Sequence, residues 1–292
     1  MKTLLVFGRA GQVASELAGL EVAGWQVTAY GRETLDLSTG DIEAFVAGKA
    51  PDAVINASAY TAVDKAESEP QAAFALNRDA PGAMARACAA RGIPFVHIST
   101  DYVFDGSKPS PYVEDDPIAP LGVYGESKAA GEAAVQAAGG RWAILRTSWV
   151  YAPTGGNFLK TMIRVGQARD EVGVVDDQYG RPTSAREVAR AAVAAIEAMP
   201  ASGPLGVLHI AGGGDATWAD LAEEVFVRLE KRTGRRPVLK RITTADYPTP
   251  ARRPANSRLD GPRAQALLGW RPRPWRESVN QCLDEIEESG EL

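Results

Sequence analysis

The sequence predicts an α/β fold, a doubly wound parallel sheet with a smaller and discontinuous C-terminal lobe. Through the first half of the chain, short apolar runs alternate with longer Ala-rich helical patterns, as in repeated βα units. A glycine turn follows the first apolar run, and the alternation fades after Val150, where loop-rich segments begin. The 292 residues are enough for one large α/β domain with an appended lobe.

The apolar runs of the first half are predicted to be parallel strands, and the segments between them helices. Strands are predicted at residues 3–7, 26–30, 53–56, 94–99 and 142–147. Helices are predicted at residues 11–18, 41–48, 70–90 and 124–137. Right-handed crossovers between such strands give a doubly wound order, in which ligands bind at the carboxyl edge of the sheet.

The second half of the chain is predicted to divide between the two parts of the molecule. The main domain comprises residues 1–150, and the sheet resumes at about 183–213 with a helix at 184–199 and a strand at 205–211. The smaller lobe is built from residues 151–182 and 214–292, with a helix at 218–233 and a Pro- and Arg-rich tail. We expect this lobe to bind the substrate.

Composition excludes several classes of function. A net charge of -5 and a pI of about 5.3 argue against nucleic acid as a partner. Two distant cysteines favour a reducing compartment, and we expect the cytoplasm, because the chain has neither a signal-peptide core nor an apolar run of ~18 residues for a membrane span. The two histidines, His97 and His209, lie in apolar runs typical of core residues, which leaves no zinc-ligand spacing.

The glycine turn predicts a dinucleotide site. Gly8, Gly11 and Ala14 follow the first strand and open a helix, whose free N–H groups and dipole suit a pyrophosphate. The alternative is a Gly-rich turn without a ligand. With a ligand, the main domain is a Rossmann-type dinucleotide-binding domain.

The end of the second strand bears on the choice of cofactor. An NAD-binding fold usually places an acidic residue there, and this chain has Tyr30, Gly31 and Arg32. Arg32 is predicted to meet a 2′-phosphate, the alternative being an exposed loop residue, and Asp36 lies within reach of the adenine side. The cofactor is therefore expected to be NADPH or NADH.

The strongest chemical signal is YGESK, which places Tyr124 and Lys128 one turn apart at the start of a helix. A phenol is a poor acid–base group at neutral pH until a nearby cation favours its ionised form, and Lys128 is predicted to supply that cation. Thr100 and Asp101 end the fourth strand at the ligand edge, so the Thr100 hydroxyl is expected to hold a substrate carbonyl beside the phenol.

These motifs resemble the extended short-chain dehydrogenase/reductases and, more closely, the family of dTDP-4-dehydrorhamnose reductases. The resemblance runs over essentially the whole chain through HISTDYVFDG, YGESKAAGE, RTSWVY, GGNF, DDQYGRPT and YPTPARRPANSRLD. It implies a catalytic set of Thr100, Tyr124 and Lys128. It implies that the cofactor is bound by Gly8, Gly11, Gln12, Val13, Asp36, Leu37, Ala59, Tyr60, Thr61, Tyr124 and Lys128. It implies substrate contacts from Thr100, Asp101, Tyr124, Trp149, Asn157, Arg252, Arg253 and Asn256. The alternative for Trp149 is a core residue at a strand end, and the alternative for Thr61 is a helix cap.

The implied reaction is transfer of a hydride from NAD(P)H to the 4-keto carbon of a dTDP-linked sugar, dTDP-4-dehydrorhamnose, giving dTDP-L-rhamnose. A second alternative is that the chain is a short-chain reductase of a different nucleotide sugar. A dehydratase of the same fold would need a further carboxylate after Thr100 and Asp101, where this chain has Tyr102. A third alternative is a non-catalytic dinucleotide-binding module similar to the regulatory subunit of methionine adenosyltransferase.

The resemblance also implies a mode of assembly. Some members of the family form homodimers bridged by Mg²⁺ through glutamates, and Glu16 and Glu187 stand at the matching positions. Carboxylates are suitable ligands for such a hard cation. The alternative is that both are ordinary glutamates on the surface of helices.

Overall fold

The computed structural model describes all residues from Met1 to Leu292 and has a parallel sheet at its centre. The strands are β1 Lys2–Phe7, β2 Trp25–Tyr30, β3 Ala53–Asn56, β4 Phe95–Thr100, β5 Trp142–Thr147, β6 Val150–Tyr151, β7 Glu171–Val175, β8 Tyr179–Gly180, β9 Thr183–Ser184, β10 Gly206–His209, β11 Ala216–Thr217 and β12 Val238–Ile242. Six of them form the sheet in the order β2-β1-β3-β4-β5-β10, all parallel. This confirms the predicted fold class.

Helices cover the sheet and also pack beside it. They are α1 Gln12–Gly19, α2 Ile42–Lys49, α3 Val63–Ala66, α4 Pro70–Phe74, α5 Ala80–Arg91, α6 Val123–Ala138, α7 Phe158–Ala168, α8 Ala185–Glu197, α9 Trp218–Thr233, α10 Pro262–Leu268 and α11 Trp275–Glu288. A π-helical turn over Ala75–Asp79 joins α4 to α5. None of the helices combines the length and the apolar character that a bilayer crossing requires.

The strand order locates the ligand edge. The chain runs from β1 outward to β2 and then returns to the other side of β1 to form β3. The connections therefore leave in opposite directions at the carboxyl ends of β1 and β3, which opens a crevice between them. Every strand of the sheet is parallel, so the residues that follow β1 to β5 all meet at this edge.

Two main apolar layers flank the sheet, and a separate core lies beyond it. One layer joins β1, β3, β4 and β5 to α1 and α8, and the other joins the opposite face to α2 and α5. The separate core takes its buried residues from Tyr151–Val174 and Ala216–Ile286. Ala264 of α10 belongs to the first layer instead. The division into a main domain and a substrate lobe stays a prediction.

The tail is more regular than its composition predicts. The Pro- and Arg-rich segment contains α10 and α11, and α11 buries Trp275, Val279, Leu283 and Ile286 in the separate core. These positions recur at helical spacing, and this apolar stripe outweighs the charged residues between them. The sequence predicts no helix in this tail, and both segments are helical.

Candidate active site

A cleft of about 1110 Å³ opens at the carboxyl edge of the sheet. Its walls come from the ends of β1 to β5, the start of α6, and the loop that carries Trp149. This volume is at the upper end of the range for small-molecule sites, which suits a dinucleotide with a second ligand. The cleft contains glycine-rich backbone at one end and Thr100, Tyr124 and Lys128 at the other.

The glycine turn after β1 forms the first wall. Gly8 has φ +110°, and a Cβ there would lie 2.8 Å from the backbone of Ala57, so only glycine fits. Its N–H donates to the Tyr30 carbonyl at 3.0 Å, which holds the turn beside β2. Helix α1 begins after Gly11 without a side-chain cap, which leaves its first N–H groups free for an anion.

The corner beyond β2 is both basic and acidic. Arg32 pairs with Asp36 at 3.0 Å, and Arg9 pairs with Glu33 at 3.1 Å, with all four residues lining the cleft. Hydrogen bonds from Ser38, and then Arg32, lower the pKa of Asp36 to about 2. The expectation that no acidic residue follows the second strand is therefore incomplete, because Glu33 takes that place after a short turn.

Hydrogen bonds on the side away from the cleft fix the loop after β3. Ala59 and Thr61 line the cleft, while Tyr60 points away and donates from its hydroxyl to Glu69 at 2.7 Å. The Asn77 side chain accepts from the Tyr60 N–H at 2.8 Å and donates to the Tyr60 carbonyl at 3.1 Å. Tyr60 therefore shapes the wall through its backbone.

Helix α6 brings Tyr124 to the end of β4. A Cβ at Gly125 would lie 2.3 Å from the Tyr102 carbonyl oxygen, so the glycine lets the helix start pack closely against the loop after β4. The Tyr124 and Tyr102 rings meet edge to face with centroids 5.4 Å apart. Thr100 lies close enough to the Tyr124 phenol to lower its pKa.

The electrostatics of Tyr124 differ from the sequence-based expectation. Desolvation raises the pKa of Tyr124 above its usual value near 10, Thr100 lowers it, and the Asp101 and Tyr102 charges raise it further. Lys128 is not among the groups that shift this pKa. In this structure the phenol is held in its protonated form, because its surroundings disfavour the anion.

Lys128 lies at the floor of the cleft with 2% of its surface exposed. Its Nζ donates to the Ile98 carbonyl at 2.6 Å and lies 3.3 Å from His97 Nε2. Burial lowers the pKa of Lys128 to about 8, and Glu132 acts in the opposite direction. The predicted core character of His97 agrees with its complete burial.

Two buried polar atoms in the cleft have no protein partner, Asp101 Oδ2 and Thr147 Oγ1. Asp101 Oδ1 accepts from the Thr100 hydroxyl at 3.0 Å, and burial raises the pKa of Asp101 to about 6. The β4–β5 register pairs Thr100 with Thr147, which sequence analysis did not select. Unpaired buried polar atoms are uncommon, so this pair indicates a ligand.

Trp149 forms the outer wall. Its backbone has φ +50°, and its indole stacks on Trp218 with centroids 3.6 Å apart. A Cβ at Gly180 would lie 2.3 Å from this indole, so the glycine makes room for the stack. Both tryptophans line the cleft, which places Trp149 at the site instead of in the core.

Comparison with known proteins agrees with this geometry. A family model described as the RmlD substrate binding domain matches residues 1–288. The dTDP-4-dehydrorhamnose reductase of Sinorhizobium fredii is 44% identical over 284 residues, covering 96% of this chain and 96% of that protein. The chain belongs to the dTDP-4-dehydrorhamnose reductase family.

Solved structures of the family have the same fold. The crystal structure of the Clostridium acetobutylicum dTDP-4-dehydrorhamnose reductase has a TM-score of 0.90 and 34% identity, covering 98% of this chain and 99% of that one. The Bacillus anthracis dTDP-4-dehydrorhamnose reductase, solved in complex with NADP, has a TM-score of 0.89 and 30% identity, covering 97% and 99%.

Four residues that the family resemblance assigns to the substrate lie outside the cleft lining. Asn256 donates to the carbonyls of Lys108 and Ser110 and accepts from Arg258, so its polar atoms are occupied. Asn157 caps α7 and donates to Gln12 Oε1 at 3.1 Å, and in this way it positions a residue of the glycine turn.

The other two are the arginines of the tail. Arg253 pairs with Asp64 at 2.7 Å and lies 3.5 Å from the Tyr102 hydroxyl, while Arg252 is exposed. Gln12, Val13 and Leu37 line the cleft as the family resemblance implies.

The magnesium site that the family resemblance implies does not fit these residues. Glu16 accepts from Arg186 at 2.9 Å, and the same guanidinium holds Glu285 through contacts of 2.6 and 2.7 Å. Glu187 is 6% exposed, and its Oε2 has no partner. The structure contains no cluster of three or more side chains able to ligate a metal. Arg186 therefore neutralises Glu16, one of the two implied ligands, and Glu187, the other, is buried.

Proposed function

We propose that this protein reduces the 4-keto group of dTDP-4-dehydrorhamnose to give dTDP-L-rhamnose, with NADPH or NADH as the reductant. The observation that supports this most directly is one cleft holding a glycine turn at one end and Thr100, Tyr124 and Lys128 at the other. Membership of a family whose relatives are named for this reaction supports the choice of substrate.

The cleft fits a nicotinamide dinucleotide. Gly8 lets the turn after β1 pack closely on the backbone of Ala57, where a Cβ would not fit, and the uncapped start of α1 offers N–H donors for a pyrophosphate. When bound, the nicotinamide supplies the hydride that reduces the carbonyl carbon. Lys128, buried at the floor beside Tyr124, would donate to the ribose hydroxyls.

Tyr124 would act as the general acid. Hydride addition leaves negative charge on the former carbonyl oxygen, and the Tyr124 hydroxyl passes its proton to that oxygen. A raised pKa suits this direction of the reaction, because it keeps the phenol protonated at neutral pH. Thr100 would hold the carbonyl oxygen through its hydroxyl, and positioning by such a donor stabilises the developing charge.

The sugar would lie between Trp149 and the end of β4. The Trp149 indole, held between Trp218 and Gly180, would meet the sugar through its edge and N–H, and Asp101 Oδ2 is a free acceptor for a sugar hydroxyl. Arg252 and Arg253 are kept as proposed contacts to the diphosphate, because guanidinium groups match phosphate geometry. We further propose that the protein works in the cytoplasm, where Cys88 and Cys282 stay reduced, and that it forms a homodimer.

Tyr124→Phe tests the mechanism. The variant removes the proton donor and keeps the ring that packs on Tyr102, so we expect kcat to fall by about 10² to 10⁴-fold with an unchanged Kd for NADPH. The measurement is NADPH oxidation by purified protein with and without dTDP-4-dehydrorhamnose, together with Tm. A folded variant with wild-type kcat would contradict the proposal.

The same assay distinguishes the competing functions. A regulatory dinucleotide-binding module would bind NADPH and show no oxidation with any keto sugar. A reductase for a different nucleotide sugar would turn over that sugar with a higher kcat/KM than dTDP-4-dehydrorhamnose.

A further inference from the structure

A buried chain of hydrogen bonds runs beneath the cleft from β3 to Lys128. It begins at Ser58, passes through Asn56 and His97, and ends at the Lys128 Nζ. Asn56 and His97 are fully buried, and neither lines the cleft. The proposed reaction gives neither residue a role.

The orientation of the Asn56 amide is fixed at one end. Asn56 Oδ1 accepts from the Ser58 N–H at 3.0 Å and from the Ser58 hydroxyl at 2.6 Å. A backbone N–H can only donate, so the atom it meets must be the amide oxygen. The Asn56 nitrogen therefore faces His97 Nδ1, at 3.1 Å.

This contact sets the tautomer of His97. An amide nitrogen donates, so Nδ1 is the acceptor and carries no proton. Burial lowers the pKa of His97 well below its usual value, so the ring is neutral. A neutral imidazole carries one proton, which must then lie on Nε2, the atom 3.3 Å from Lys128 Nζ.

The Nε2–H of His97 bears on the protonation state of Lys128. An ammonium has donors and no acceptor, so it would place a positive N–H group against the Nε2–H of His97. A neutral amine has a lone pair that accepts from Nε2–H, and one of its own N–H groups donates to the Ile98 carbonyl at 2.6 Å. The hydrogen-bond chain is satisfied throughout only with the neutral amine.

We propose that His97 is a positioning residue of the reaction, whose Nε2–H donates to the Lys128 amine, fixes it at the floor of the cleft and favours release of its proton. The proposal deepens the proposed function, because it assigns control of a residue at that same site. This hydrogen bond acts in the same direction as burial, which lowers the pKa of Lys128 to about 8.

The other charged groups around Lys128 do not replace this effect. Glu132 lies one turn further along α6 and opposes the lowering of the Lys128 pKa. It is itself held by Arg146 of β5 at 2.7 Å, in a pair that is almost fully buried. Tyr124, one turn earlier, is protonated, so His97 is the group on β4 that faces the amine with a donor.

The tautomer is tested on the wild-type protein without any substrate. The chain has two histidines, so a long-range ¹H–¹⁵N NMR spectrum of the imidazole nitrogens shows two rings, and His209→Phe assigns them. We expect His97 to be protonated on Nε2 from pH 6 to 9. Protonation on Nδ1 would overturn the proposal whether or not the protein reduces a keto sugar.

The effect on Lys128 is tested with His97→Phe, which keeps a flat ring and removes both nitrogens. The Lys128 Cε resonance is assigned by its loss in Lys128→Met. The midpoint of its titration should lie about one pH unit higher in His97→Phe than in the wild type, a change within the usual range for lysines in folded proteins. The alkaline limb of kcat/KM for NADPH, which reports the free enzyme, should move in the same direction.

His209→Phe is the matched control, because His209 is also buried and lies on β10, where it contacts the carbonyls of Tyr112 and Asp260. It should lower Tm and leave both midpoints unmoved. An unmoved Lys128 midpoint in His97→Phe, or an equal shift in the control, would overturn the proposal. If the wild-type protein does not reduce the keto sugar while the NMR results are as expected, the proposed function alone is contradicted.

Discussion

We expect single side chains at the corner beyond β2 to set the selectivity between NADPH and NADH. Arg9 and Arg32 offer guanidinium groups that suit a 2′-phosphate, whereas Glu33 and Asp36 offer carboxylates that suit a ribose hydroxyl. Within each pair the positive and negative charges neutralise each other, so the corner has no net preference for an anion. We therefore expect both cofactors to be accepted.

Arg32→Ala should raise KM for NADPH selectively. The Arg32 side chain is 81% exposed, so water screens its contact with a phosphate and we expect a rise of about 3- to 10-fold, with little change for NADH. Glu33→Gln is the opposite control and should lower KM for NADPH, because it removes a repelling charge. Steady-state kinetics with both cofactors measure this, and equal changes in the two KM values for Arg32→Ala would contradict it.

At the same scale, the sequence predicts catalytic side chains better than their neighbours. Tyr124, Lys128 and Thr100 are predicted because a helical turn and a strand end fix their positions. Thr147 was missed because its place beside Thr100 depends on the β4–β5 register, which no local pattern contains. The family resemblance identifies the segment that contains Asn256 and does not tell which way its side chain points, so its substrate contact stays a prediction.

Among the elements, α6 has the tightest packing requirement at the site. A Cβ at Gly131 would lie 1.9 Å from the Asn77 carbonyl oxygen in the π-helical turn. The Asn77 side chain also donates to the Ser127 hydroxyl at 2.9 Å and holds the backbone of Tyr60. The contacts of Asn77 therefore link α6, which carries Tyr124, to the loop after β3 that lines the cleft.

Gly131→Ala should destabilise the protein by about 1 to 3 kcal/mol, because two backbone segments must move apart. The control is Gly48→Ala in the exposed part of α2, where a Cβ meets nothing within 4 Å. That change should stabilise by about 0.4 to 1 kcal/mol through a less flexible unfolded chain. Urea unfolding measures both, and an equally stable Gly131→Ala protein would show that the close contact does not constrain the fold.

The elements of the sheet were predicted from periodicity, because each βα unit repeats the same local pattern. Helix α11 was not predicted, although Trp275, Val279 and Ile286 lie on one helical face. Helix α7 was not predicted because it follows a loop-rich segment, and its N-cap is Asn157. The substrate contact of Asn157 stays a prediction.

For the whole molecule, the joint between the sheet and the separate core centres on one arginine. Arg186 of α8 holds Glu16 of α1 and Glu285 of α11, and its side chain is 30% exposed. Helix α11 packs in the separate core, while α1 and α8 pack on the sheet. A guanidinium therefore joins three helices at the place where the family resemblance implied a magnesium ion.

Arg186→Gln should lower the free energy of unfolding by about 1.5 to 3 kcal/mol, because it leaves two partly buried carboxylates without their charged partner. Tm should fall by roughly 3 to 9 °C. Arg190→Gln, one turn along the same helix at an exposed position, is the control and should change stability by less than about 0.5 kcal/mol.

The wild-type Tm should be the same in EDTA and in millimolar Mg²⁺, because Glu16, one of the two implied ligands, and the neighbouring Glu285 already pair with Arg186. Arg186→Gln should instead gain stability from Mg²⁺, since the freed Glu16 and Glu285 become hard oxygen ligands for it. Thermal unfolding of both proteins, with sedimentation to follow the proposed homodimer, measures these effects. A wild-type protein that loses stability or dissociates in EDTA would show that a metal, and not Arg186, holds this joint.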